Sequence, residues 1–146
     1  MRELRSILLL MLMLLGLSGV SGQAGAAASK HTEKVPFVMQ MTAEESQQRR
    51  AFLQIAKVLE DIGPDKIKIV VVAYEAGILS LLANNAATAG LVETLHRQGV
   101  RFKACRISMR ASDLTESDFP LEVEFVPAGA PEMVRLQMQG YRYWRP

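Results

Sequence analysis

The chain has 146 residues, of which 17 are Lys or Arg and 15 are Asp or Glu, giving a formal net charge of +2. This length accommodates one domain with a core of ordinary size, so the fold needs no disulfide or metal to hold it together. Charges of both signs are scattered without a basic stripe or an acidic tail, and we therefore expect no nucleic-acid partner.

The amino-terminal segment has the pattern of a secretory signal peptide. Arg2 and Arg5 precede an apolar run over residues 7–17, which then gives way to Gly, Ser and Ala. This run is shorter than the roughly 20 apolar residues that a membrane-spanning helix requires. We expect a signal peptide over residues 1–22, with cleavage near residue 22 or 26; an uncleaved anchor helix is the alternative.

This pattern also sets the expected location and domain bounds. Residues 23–34 are small and polar and predict a flexible lead-in, and residues 35–146 form the folded domain. We expect that domain to be periplasmic or secreted, with no membrane association after cleavage.

The first strand and helix of the domain follow from short-range patterns. Val35 to Gln40 predicts a strand, and Thr42 followed by Glu45 has the spacing of a capping box. The helix that follows carries one stripe of apolar residues at helical spacing and should stop at Gly63; the stripe consists of Phe52, Ile55, Leu59 and Ile62.

The middle of the chain carries the strongest strand signal. Ile67 to Ala73 is almost continuously apolar and β-branched, as expected for a central parallel strand. After Gly77 we expect a second helix to about Gln98, ending at Gly99. Its middle, residues 84–90, has small and amide side chains, which indicate tight packing within the monomer or, alternatively, a subunit interface.

The last third alternates again between strands and helices. In order, we expect a strand, a short helix or turns, a strand, a helix and a short final strand, over Val100–Ala104, Ser108–Ser117, Val123–Val126, Gly129–Gln139 and Tyr141–Trp144. This rhythm predicts an α/β fold of three layers, with right-handed crossovers and a mostly parallel sheet of about five strands.

Ligands of such sheets bind beyond the carboxyl ends of the strands, and one strong nucleophile, Cys105, lies there. We take Cys105 as the candidate catalytic residue. Weaker rim candidates for binding a ligand are Tyr74, Glu75, Gly77, Arg106 and Gly129. A single cysteine excludes a dithiol oxidoreductase, and with two scattered histidines it predicts no metal site. The sequence has no phosphate-binding loop and no dinucleotide glycine fingerprint, and we therefore expect no cofactor.

The reactivity of Cys105 is left open by its surroundings in the sequence. Four basic residues nearby, and helices beginning at the rim, favour the thiolate; the basic residues are Arg101, Lys103, Arg106 and Arg110. A free cysteine is, however, among the most buried residue types, which favours an inert thiol. Glu75 is either a solvated loop carboxylate or an acid or base without a partner, and Tyr74 is expected to pack.

Several stretches of the mature chain resemble the DsrE/DsrF-like family. Residues 99–105 with Met109 and residues 114–118 are similar to its cysteine segment, and residues 123–129 are similar to its closing strand and Pro-small-Gly turn. Residues 135–141, with the final Pro146, resemble the tail of exported, single-domain members. Residues 69–77, followed by Leu79, Leu81 and Leu82, resemble the family's central strand and next helix.

The resemblance implies a flavodoxin-like fold, homo-oligomers, and a persulfide carried on the cysteine that Cys105 matches. We therefore expect a periplasmic sulfur carrier, at most a sulfurtransferase-type enzyme, whose partners are a donor or acceptor thiol protein or a small thiol. The alternative is a non-catalytic module for ligand binding or assembly, in which Cys105 is structural.

Overall fold

The computed structural model describes residues 33–146. The predicted signal peptide over residues 1–22, and all but the last two residues of the predicted lead-in, lie outside the described residues. None of the described helices is both long and apolar enough to cross a membrane.

The described residues form five strands, four α-helices and two short 3-10 segments. The strands are β1 (Val35–Met41), β2 (Ile67–Ala73), β3 (Arg101–Cys105), β4 (Val123–Val126) and β5 (Arg142–Trp144). The helices are α1 (Glu45–Ile62), α2 (Ala89–Arg97), α3 (Arg106–Ala111) and α4 (Gly129–Met138), and the 3-10 segments are Glu75–Leu81 and Glu116–Asp118. The predicted strands are thus confirmed to within a residue at each end.

The sheet is parallel throughout, in the order β4-β3-β2-β1-β5. The chain steps in one direction from β1 to β4, and right-handed crossovers therefore place all three intervening connections on one face. The last connection returns past three strands to β5, so α4 lies on the opposite face. The three-layer flavodoxin-like α/β architecture expected from the sequence is confirmed.

The two faces of the sheet bury different cores. On the face of α1, a large cluster centres on Phe52 of the helix and Phe102 of β3, whose rings meet edge to face at 5.8 Å between centroids. On the other face, α4 covers Val70 and Val72 of β2 with a smaller cluster. Because side chains alternate along a strand, β3 turns Phe102 to the large core and sends Cys105 to the face of α4.

Two predictions about α1 are wrong. The helix begins at Glu45, with Glu44 as the N-cap and no side-chain cap, so the expected capping box with Thr42 does not form. Ile62, expected in the buried stripe, is 39% exposed because it is the last helical residue, immediately before Gly63 turns the chain away with a φ of 100°. The other three residues of the stripe are buried as predicted.

The continuous helix expected between Gly77 and Gln98 is also wrong, because Asn85 interrupts it. The Asn85 side chain donates to the Leu79 carbonyl (2.9 Å) and accepts from the Ala87 N–H (3.0 Å), satisfying backbone groups that a helix would have paired. The chain therefore forms a 3-10 segment, turns, and the short helix α2. Among residues 33–146, nothing lies within 4 Å of a Cβ built at Gly90, so the close packing expected within the monomer is absent there, and the alternative of a subunit interface stays a prediction.

Gly140, just after the end of α4, was expected near the buried side of that helix, and this expectation is wrong. Met133 and Leu136 are buried as predicted, but Gly140 is exposed and adopts a φ of 89° immediately after the helix. Its role is to reverse the chain into β5.

Candidate functional site

The carboxyl ends of β1 to β4 form one rim, because the strands are parallel and in register. Met41 pairs with Ala73 of β2, Ala73 pairs with Ala104 of β3, and Cys105 pairs with Val126 of β4. The rim therefore brings together the segments that follow these strands, as the sequence predicted.

Cys105 lies where the topology opens this rim. The segment after β3 leaves toward the face of α1, whereas the segment after β4 leaves toward the opposite face and enters α4. In open parallel sheets, ligands bind in the crevice between two adjacent strands whose connections diverge in this way. Cys105, the last residue of β3, and Gly129, three residues after β4, are the residues at that point.

The Cys105 side chain is buried but is surrounded by hydrogen-bond donors. Only 3% of the residue is exposed, and its Sγ accepts the Gly129 N–H at 3.2 Å. Gly129 is the first residue of α4, so its N–H has no partner inside the helix and is free to bind the sulfur. The N–H groups of Ile107 and Ser108, at the start of α3, are further donors near the sulfur that lower the pKa of the thiol.

Ser108 links the sulfur to the segment after β2. Its Oγ accepts the backbone N–H of Glu75 at 2.8 Å, which leaves the hydroxyl proton free to bind Cys105. Glu75 itself has a φ of 51°, in the left-handed region that residues other than glycine rarely adopt. The Ser108 Oγ is therefore held in place by a strained backbone position on the neighbouring strand connection.

These bonds decide the acidity of the thiol. Burial raises the pKa of Cys105, but hydrogen bonds from the Ser108 hydroxyl and from the N–H groups of Ser108, Gly129 and Ile107 outweigh it. The pKa of Cys105 consequently lies below its ordinary value, which favours the thiolate.

The basic residues that were expected to stabilise the thiolate have acidic partners instead. Arg101 forms a bidentate pair with Glu124 at 2.7 and 2.8 Å, and Lys103 pairs with Glu132. Arg106 pairs with Glu116 and its guanidinium lies 5.3 Å from the centre of the Phe125 ring. The leading contacts that lower the pKa of Cys105 are hydrogen bonds from the starts of α3 and α4, the second of the two effects expected from the sequence, and not these cations.

Tyr74 packs against the amino end of α4. A Cβ built at Gly129 would lie 2.6 Å from Cδ1 of Tyr74, so the absence of a side chain at residue 129 lets the ring approach. Burial and the nearby Glu75 carboxylate raise the pKa of Tyr74, which keeps its phenol protonated. Tyr74 thus packs, as expected, beside the thiol.

The remaining rim candidates have different positions. Glu75 is exposed, and Arg106 is directed to its ion pair with Glu116. Gly77 is buried against the end of β1, where a Cβ would lie 2.0 Å from the Met41 carbonyl oxygen, so it shapes the rim without facing the thiol. The structure groups Cys105 with Tyr74 and Gly129, and it adds Ser108.

A separate cavity of about 420 Å³ opens at the other end of the rim, beside the start of α1. It is lined by polar side chains, among them Thr42, Gln47, Arg50 and Arg145. Cys105 lies two strands away from β1, about 10 Å at the usual strand spacing. Within residues 33–146, no three His, Cys, Asp or Glu side chains lie close enough together to hold a metal ion.

Ser108 was not identified from the sequence. Its position three residues after Cys105, at the start of a short helix, is the one signal that could have marked it, because N-cap and N3 side chains face each other. That signal depends on knowing that α3 begins directly after Cys105, whereas the sequence placed the short helix later.

Comparison with known proteins agrees with this architecture. Residues 33–145 match the model of the DsrE/DsrF-like family. A similar solved structure is that of the protein of unknown function MTH1491 from Methanobacterium thermoautotrophicum, with 32% sequence identity and a TM-score of 0.66; the match covers 77% of this chain and 98% of that chain. No curated protein matches.

Proposed function

Since this chain belongs to the DsrE/DsrF-like family, and membership of that family suggests a role in sulfur relay, we propose that it carries sulfane sulfur on Cys105. The single observation that supports this most is the set of hydrogen bonds around Sγ. A buried thiol in apolar surroundings would be held neutral, but here donors from α3 and α4 lower the pKa of Cys105. The thiolate is the form that attacks sulfur.

The proposed loading step is a thiol exchange at sulfur. The Cys105 thiolate forms a bond to the outer sulfur of a donor persulfide R–S–SH, the donor S–S bond breaks, and the inner sulfur leaves as R–S⁻. The product is Cys105–S–SH, and no oxidant is consumed. In discharge, an acceptor thiolate attacks the outer sulfur of Cys105–S–SH and releases the Cys105 thiolate.

The chain cannot complete a transfer without a partner. Cys105 is its only cysteine, so no second thiol within one chain can take the sulfur. The acceptor is therefore a partner protein thiol or a small thiol. The homo-oligomer expected from the family resemblance stays part of this proposal, since a second copy brings another Cys105.

Mass spectrometry of the protein after treatment with polysulfide tests the proposal. We expect the mass of one added sulfur atom, located on Cys105 and removed by a small thiol. The variant Cys105→Ser is the matched control and should gain no mass. An unmodified wild-type protein, under conditions that load a free cysteine peptide, would contradict the proposal.

The second candidate function is a binding or assembly module in which Cys105 only packs. The observation that favours it is the burial of Cys105, which is 3% exposed. Alkylation by iodoacetamide separates the two functions. A carrier should react at and below the ordinary thiol pKa and lose reactivity as the pH falls through the lowered value. A packing cysteine should react slowly at every pH, and Cys105→Ser should then leave ligand binding and oligomeric state unchanged.

We also propose that the protein acts outside the cytoplasm, on the signal-peptide pattern of residues 1–22. We expect the mature protein in the periplasmic or secreted fraction, beginning at Gln23 or Ala27. Fractionation followed by amino-terminal sequencing measures this. Recovery of a chain that keeps residues 1–22 in the cytoplasmic fraction would contradict export.

A further inference from the structure

A largely buried ion pair joins α4 to the strand that carries the thiol. Glu132 in the first turn of α4 pairs with Lys103 of β3, and the two side chains are only 11% and 12% exposed. The other carboxylate oxygen of Glu132 accepts from Arg135 at 2.7 Å. Both oxygens thus have a cationic partner, and displacing either element would leave a poorly solvated charge without one.

This ion pair lies close to the hydrogen bond that α4 makes with Cys105. Lys103 and Cys105 are two residues apart in β3 and therefore point to the same face of the sheet, toward α4. Glu132 is three residues after Gly129, in the same helical turn. The first turn of α4 is consequently attached to β3 at two points, through the ion pair and through the Gly129 N–H at 3.2 Å from Sγ.

We propose that Glu132, held by Lys103, is a positioning residue that fixes the amino end of α4 so that the Gly129 N–H points at Cys105 Sγ. Hydrogen bonds weaken steeply with distance and misalignment, so small movements of this helix end would weaken the bond. The inference rests on the proposed function, in which Cys105 must be present as a thiolate.

Direct electrostatics and positioning predict opposite results for the variant Glu132→Gln. The substitution removes a negative charge near Cys105 and leaves the positive charge of Lys103 without its partner. The first change removes a repulsion on the thiolate and the second adds an attraction, so both would lower the thiol pKa. If Glu132 positions α4, its loss instead loosens the Gly129 hydrogen bond and raises the thiol pKa.

The experiment is the pH profile of Cys105 alkylation by iodoacetamide in wild type, Glu132→Gln and Glu124→Gln. For Glu132→Gln we expect an upward shift of the thiol pKa and about tenfold slower alkylation near neutral pH, the usual effect of losing a hydrogen bond to a charged group. Glu124 is the control because it lies on the same face, 4.0 Å from Lys103, but bonds to Arg101 instead of α4.

The control should show an unchanged or lower thiol pKa. An unchanged or lowered thiol pKa in Glu132→Gln overturns the inference, as does an equal upward shift in Glu124→Gln. Tyr74, whose phenol is electrostatically coupled to Cys105, and the charged or titratable neighbours of Tyr74, namely Glu75, Tyr143 and Arg145, are the same in all three proteins.

A second variant keeps the test decisive if Glu132→Gln fails to fold by circular dichroism. Glu132→Asp retains the charge but shortens the side chain by one methylene group, so the carboxylate no longer reaches both partners. We expect slower alkylation than in wild type, and equal or faster alkylation overturns the inference.

Failure of this inference can be told apart from failure of the proposed function. If wild-type Cys105 takes up no sulfur from polysulfide, the carrier function fails, whatever the thiol pKa of Glu132→Gln. If wild type is loaded but Glu132→Gln shows no upward shift, only the positioning role of Glu132 fails.

Discussion

Replacing Gly77 with alanine is expected to destabilise the protein by about 3 kcal/mol or more, at the upper end of what overpacking costs. A Cβ at this position would lie 2.0 Å from the carbonyl oxygen of Met41 and 2.9 Å from Cα of Thr42. These are backbone atoms at the end of β1, and the Met41 carbonyl already accepts the Tyr74 N–H at 3.1 Å. Neither the Met41 carbonyl nor the segment at Gly77 can move without breaking the junction between β1 and β2.

Urea denaturation of Gly77→Ala measures the loss, and Gly90→Ala is the matched control. Gly90 is a helical residue of α2 with open space around its Cα, so alanine there should be neutral or stabilise the fold by up to about 1 kcal/mol. Unfolding free energies of the two variants that agree within error would show that the contact at Gly77 relaxes easily.

The second large effect is expected for Gly129→Ala, and it should appear in both stability and thiol chemistry. The new Cβ would lie 2.6–2.7 Å from Cβ, Cγ and Cδ1 of Tyr74, atoms at the base of the side chain that cannot swing aside. We expect a loss of about 1–3 kcal/mol from overpacking. Because the collision pushes α4 away from β3, the Gly129 N–H to Sγ bond should lengthen and the thiol pKa should rise.

Urea denaturation and the alkylation rate near neutral pH measure these two effects, and the rate should fall about tenfold. Tyr74→Ala provides the control, since removing the ring makes room for the new methyl group. In the double variant Gly129→Ala/Tyr74→Ala, the alkylation rate should return toward that of Tyr74→Ala alone. Purely additive effects of the two substitutions would indicate that the collision with Tyr74 is not the cause.

The strands could be predicted because each is encoded by its own residues. Apart from the exposed Lys68, Ile67–Ala73 is a run of buried and mostly β-branched side chains, and its bounds agree with the sequence interpretation residue for residue. Val123–Val126 was likewise predicted with its observed bounds. Parallel pairing then follows from alternation with helices, and it places Cys105 at the rim without further information.

The helices were predicted less well where side chains compete with the backbone. Asn85 forms local hydrogen bonds that end a helix, and a periodicity count of apolar residues does not detect them. The N-cap of α1 was misplaced because the spacing of Thr42 and Glu45 fits a capping box, whereas the chain remains extended through Glu44. Both errors concern hydrogen bonding at a helix end, which the periodicity of apolar residues does not determine.

The candidate site was predicted in its reactive atom but not in its supporting contacts. Basic residues beside Cys105 in the sequence suggested that charges stabilise the thiolate. In the fold, Lys103 and Arg106 are directed to Glu132 and Glu116, and neutral donors bind the sulfur instead. The alternation of side chains along a strand predicted the face of the sheet on which each basic residue lies. It could not predict which acidic residue would pair with it.

By itself, the sequence determined a parallel α/β sheet and a single sulfur nucleophile at the end of its third strand, because strand periodicity and residue identity are local properties. Only the tertiary structure decided the chemistry of that sulfur. Gly129 donates to Cys105 across 24 residues, Glu75 binds Ser108 across 33, and Lys103 meets Glu132 across 29. Such contacts depend on how the connections of β2, β3 and β4 leave the sheet, and this is settled by packing on its two faces.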